Sequence, residues 1–162
     1  MSNKKDYTAE EWQLLLDVPP AVGTAVMYAG QSGVGSVKEA IALAGGILGA
    51  RNGYEGVDLI EALVNARLED GEKSTIETLN SPYRGMTPEQ ICEDAVQKCQ
   101  SVAQLLESKA TAEEKSNYVN WSISIAERVA NAAKEGGFLG IGGERVSEEE
   151  VKVIAAVREA LD

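Results

Sequence analysis

The stretch GQSGVGSVKE, Gly30 to Glu39, runs glycines into a helix start whose first turn carries Ser36 and Lys38. The free amides and positive dipole end of a helix N-terminus attract anions, so Ser36 and Lys38 form a candidate anion site. A phosphate loop of the Walker type asks for more. It needs Gly-Lys-Ser/Thr after a longer spacing, with a strand before it, and neither is present. Glu39 also puts a like charge where phosphate would sit. The plainer reading is a turn between two helices.

A second glycine-rich stretch, GGFLGIGGERVSEEE at residues 136 to 150, fails two tests of its own. A calcium loop requires spaced Asp or Asn side chains before its closing Glu, and the glycine portion has none. In the dinucleotide pattern Arg145 stands where the third glycine belongs. The glycines allow a sharp reversal before Ser147 starts the last helix. Phe138, Leu139 and Ile141 then either fold over the core or form an exposed interaction loop, because adjacent large apolar groups are seldom left bare without use.

Histidine is absent from the chain. That removes Ser-His-Asp and Cys-His nucleophiles, the usual zinc sites and the Glu-x-x-His ligands of di-iron bundles. Carboxylates remain for acid-base work, namely Glu10, Glu11, Glu61, Glu93, Asp94, Glu113, Glu114 and Glu127, although most fall at helix starts or on solvated faces. Cys92 and Cys99 are seven residues apart on one expected helix, about 10 Å between Cα atoms and beyond disulfide reach. Tyr28, Tyr54, Tyr118 and Trp121 are the aromatic side chains available to line a small-molecule pocket. No residue is assigned a catalytic, cofactor or metal-binding role.

The 162 residues suit one domain with one core. Acidic residues outnumber basic ones 26 to 15, a formal charge of −11 that repels nucleic acid and anionic lipid. The longest uncharged run, Val18 to Val37, is broken by Pro19, Pro20 and glycines, so no membrane helix is expected there. Ala40 to Ala50, AIALAGGILGA, is apolar throughout and reads as a buried helix. With no secretory signal in the opening residues, a cytoplasmic location is expected.

Helix starts position all these residues. A hydroxyl followed three residues later by Glu or Gln recurs at Thr8, Ser36, Thr87, Thr111 and Ser147, and each such capping box satisfies otherwise orphaned amides. Asp17 before the proline pair marks a further start. The expected helices run at about 8–17, 18–29, 36–50, 56–68, 87–108, 112–135 and 147–161. Expected buried seams are Cys92, Val96, Cys99, Ala103 and Leu106; Tyr118, Trp121 and Ile125 beside Ile123, Ala126, Ala130 and Ala133; and Val151, Ile154, Val157, Arg158 and Leu161. The chain therefore reads as an all-α bundle of about six or seven helices in a single domain, 1–162. A short-helix half, 1–68, and a linker at about 69–86 precede the half organised by a long antiparallel hairpin at about 87–135.

The glycine turn followed by RVSEEEVKVIAAV resembles the helix starts of tellurite-resistance helical domains. The paired acidic, glycine-containing metal loops of that family are missing, so neither its metal nor its function is carried over. With no catalytic constellation in the sequence, the expectation is a non-catalytic binding or assembly protein that uses helix faces or the Phe138 loop, its partner another protein or a second copy of the chain, as in a homodimer. The alternative is a small-molecule or anion binder, or a weak enzyme using carboxylates.

Overall fold

A computed structural model describes residues 2–30, 37–54, 57–69, 81–134 and 146–162. Its helices are α1 (Ala9–Ala29), α2 (Val37–Leu48), a single turn α3 (Ala50–Gly53), α4 (Asp58–Glu69), α5 (Pro88–Lys109), α6 (Ala112–Lys134) and α7 (Glu148–Leu161), with 3-10 turns at Lys4–Asp6 and Ser81–Tyr83. The described residues contain no strand, and the helices pack into a bundle around one apolar cluster.

Four of the expected helix starts are closed capping boxes. Thr8 Oγ1 accepts from the Glu11 amide while Glu11 Oε2 accepts from the Thr8 amide, and the same reciprocal pair joins Thr87 to Gln90, Thr111 to Glu114 and Ser147 to Glu150. At Thr87, Pro88 occupies the first helical position, where the missing N–H costs nothing. The start expected at Ser36 lies outside the described residues.

The expected start at Asp17 does not exist. α1 continues through Pro19 and Pro20 as one helix, and Asp17 accepts from Gln13 Nε2 at 2.8 Å instead of capping anything. A proline inside a helix deletes the bond from its own nitrogen to the carbonyl four residues back. The orphaned carbonyls here are those of Leu15 and Leu16. Both are satisfied from other helices: the Tyr118 hydroxyl of α6 donates to Leu15 O at 2.8 Å, and the Arg67 guanidinium of α4 donates to Leu16 O. Tyr118 is fully buried, and burial pushes its phenol well above the ordinary range, so the hydroxyl stays a donor.

α1 is the centre of the bundle. Every residue from Val18 to Met27 is buried, as an all-round apolar helix should be. It packs on α2, α4, α5, α6 and α7. The long pair α5 and α6 is joined by Ala110 and Thr111 as expected, but each shares more surface with α1 than with the other, so the organising role belongs to α1. Gly23 makes the three-way junction with α2 and α6: a Cβ there would collide with Leu43 Cδ1 and lie 3.1 Å from Ile125 Cγ2.

Two seams are rotated from expectation. On α5 the first half buries Ile91 and Ala95, with Cys92 and Val96 at the edge, while Cys99, Ala103 and Leu106 are buried as expected. Two partners, α1 and α7, widen the stripe on this helix. On α7 the inward residues are Val153, Val157 and Leu161, whereas Val151 and Arg158 are exposed. The buried Glu150, which closes the capping box and lies beside Gly30, sets that rotation. The α6 stripe Tyr118, Trp121, Ile125, with Ile123, Ala126 and Ala130, is buried as expected.

The carbonyl rescue predicts a specific coupling. Tyr118→Phe should lower stability by about 1–3 kcal/mol, because it leaves Leu15 O unsatisfied in the core. In a Pro19→Ala background the same change should cost less, since the restored amide of residue 19 takes over that carbonyl. Urea unfolding of the four proteins in the cycle measures the difference.

Candidate interaction surface

α2 is the most apolar of the long helices, yet the described elements cover only one of its sides. Ala40, Leu43, Gly46 and Ile47 point inward against α1 and α6. Gly46 lets α6 approach: a Cβ there would sit 3.0 Å from Ile125 Cγ1. The Trp121 indole then donates to Gly46 O at 3.2 Å, satisfying a carbonyl in the last turn of α2.

The opposite side of α2 presents Ile41, Ala44, Gly45 and Leu48 at spacings of three, one and three residues, a continuous stripe on a helix. Ile41 is 65% exposed and Leu48 40% exposed. Buried face and bare face are thus both apolar. The expectation that Ala40 to Ala50 is buried holds for half of the helix only.

Gly45 differs from its neighbour in what surrounds it. A Cβ at Gly45 would meet nothing within 4 Å. Glycine inside a helix costs roughly 0.5–1 kcal/mol relative to alanine, and at Gly46 the close approach of Ile125 explains that cost. Among the described residues nothing explains it at Gly45. The stripe therefore has a shallow notch between two large side chains, a shape that admits another helix at short distance.

The other candidates resolve differently. Phe138, Leu139 and Ile141 lie outside the described residues, as do Ser36 and the side chain of Lys38. Of the aromatic set, Tyr118 and Trp121 are core residues whose polar atoms bond to Leu15 O and Gly46 O, and their rings meet edge to face at 5.9 Å. Tyr28 and Tyr54 are half-buried against the same cluster. Glu11, Glu114 and Gln90 close capping boxes; Asp94 pairs with Lys98 at 2.6 Å and Glu127 with Arg158 at 3.2 Å. Among the described residues no group of three acidic or thiol side chains is gathered as a metal site would require.

Both thiols are free. Burial, with a smaller contribution from Cys92, pushes the Cys99 thiol up to about 12, so it stays protonated and unreactive at neutral pH. Burial and Glu93 raise Cys92 as well. No described helix is long and apolar enough to cross a membrane.

No protein-family model, curated protein or solved structure matches the chain. The distinction between the adjacent glycines can be checked directly. Gly45→Ala should raise the stability of the isolated chain by about 0.5–1 kcal/mol, from helix propensity alone. Gly46→Ala should lower it by about 1–3 kcal/mol through overpacking on Ile125. Paired thermal or urea melts read both signs.

Proposed function

We propose that this chain is a non-catalytic helical binding or assembly protein and that the outward face of α2 is the surface it uses. The observation that carries the reading is the exposed pair Ile41 and Leu48, flanking the half-buried Ala44 and Gly45, on a helix whose other side is firmly packed. An amphipathic surface helix normally turns polar residues to water. Here water faces isoleucine and leucine, an arrangement that fits a helix-in-groove or helix-on-helix contact with another protein. The formal charge of −11 keeps nucleic acid and anionic lipid a poor match for the same face.

Position 41 gives a direct test. A photo-crosslinking residue placed there should yield a discrete protein adduct in cells, and a probe at the exposed Asn120 should not. Ile41→Ser together with Leu48→Ser should leave the melting temperature close to that of the parent while removing the interaction, because those side chains are solvated in the free chain. Absence of any adduct, joined to specific stabilisation by a metabolite in a thermal-shift screen, would favour a small-molecule binder instead.

A further inference from the structure

Residues 2–8 cross the corner where α5 turns into α6, and one carboxylate holds them there. Glu114 Oε1 accepts from the Ser2 amide at 2.6 Å and from Ser2 Oγ at 2.8 Å. Glu114 Oε2 meanwhile accepts from the Thr111 amide at 2.8 Å, closing the capping box of α6. The Tyr7 hydroxyl donates to Ser2 Oγ at 3.1 Å. Ser2, Tyr7 and Glu114 are all buried, and the Tyr7 ring covers Trp12 with centroids 6.0 Å apart. We infer that the segment Ser2 to Thr8 is an acid-released strap: protonation of Glu114 unlatches Ser2, and the segment lifts from the α5–α6 corner and uncovers Trp12 while the helices stay assembled.

The chemistry of the latch makes the two functions of Glu114 separable. A protonated carboxyl keeps a carbonyl oxygen, which is enough to accept from the Thr111 amide. This same chain shows that a neutral side chain closes such a box, because Gln90 does so at Thr87. The oxygen that carries the proton loses its charge and turns an O–H toward the Ser2 amide, itself a donor, so its hold on Ser2 is weakened.

Burial alone would raise the carboxyl, but the bonds from Thr111 and Ser2 outweigh it and hold Glu114 down at about 2. Docking of the strap therefore favours the ionised form. Its contribution is complete above the ordinary glutamate value of about 4.3 and declines as the pH falls from there toward the depressed value. The charged groups around the corner are Lys4, Lys5 and Asp6 on the strap, Glu11 on α1, Glu107 and Lys109 on α5, and Glu113 and Lys115 on α6. Lys109 sits 5.6 Å over the Tyr7 ring and donates to Asp6 O and Glu11 Oε2, so it secures the far end of the strap. Lys115 is taken by Glu107 and Asp162 O. Glu114 is the carboxylate that binds Ser2.

Hydrogen exchange read by mass spectrometry, corrected for the intrinsic effect of pH, tests the strap. Between about pH 6 and about pH 3, protection of residues 3–8 should fall about tenfold while α5 and α6 keep theirs. Glu114→Gln should preserve the helix cap yet show the low protection at both values. The strap is overturned if wild-type protection of the segment is unchanged at the lower pH, if the helices lose protection together with it, or if Glu114→Gln keeps the segment fully protected near neutrality.

Discussion

Two carbonyl oxygens in the middle of α1 set the terms for the rest of the molecule. Pro19 and Pro20 remove the amides that would have reached Leu15 O and Leu16 O, and an interior carbonyl without a partner costs about 1–3 kcal/mol. The chain answers with a phenol from α6 and a guanidinium from α4. Once those two side chains are committed, the positions of α4 and α6 relative to α1 are fixed at the same level of the bundle. α1 can then run unbroken and be buried from Val18 to Met27, leaving α5 and α7 to close over its remaining sides.

That arrangement explains why α2 ends up half covered. The Gly23 notch seats Leu43 against α1, and Gly46 seats Ile125 of α6, so α2 is fastened by its inner side at two glycines. Its outer side faces no described element, and the alanine, glycine, isoleucine and leucine there are chemically the same as those inside. The proposed surface follows from uneven packing of a segment, Ala40 to Leu48, that is apolar on both sides. Leu68 and Val151 are the other exposed large apolar side chains among the described residues, one each on α4 and α7, whereas Ile41 and Leu48 share one face of α2.

Local signals were the legible part of the fold. A capping box joins residues three apart, and those at Thr8, Thr87, Thr111 and Ser147 could be read directly from the chain. The continuity of α1 could not be read, because its supporting groups lie 51 and 103 residues away in sequence. Local chemistry alone favours a break at Asp17, and tertiary bonds overrule it. The rotation of α7 was hidden for a related reason: Val151 and Val153 are equivalent to a periodicity argument until the buried Glu150 fixes the helix. Of the candidate surface, the residues were visible as an apolar run, but with no polar side in Ala40 to Ala50 nothing marked which face would meet water. The interaction loop at Phe138, Leu139 and Ile141 and the anion site at Ser36 fall outside the described residues.

The continuity of α1 is open to one direct observation. Backbone carbon chemical shifts from Leu14 to Val22, together with the Tyr118 hydroxyl proton, report on the helix and on its support in a single set of NMR spectra. Helical shifts on both sides of the proline pair, with a slowly exchanging Tyr118 hydroxyl close to Leu15, are the predicted result. Coil-like shifts between Leu16 and Pro20, with a Tyr118 hydroxyl exchanging freely with water, would split α1 in two and contradict the account.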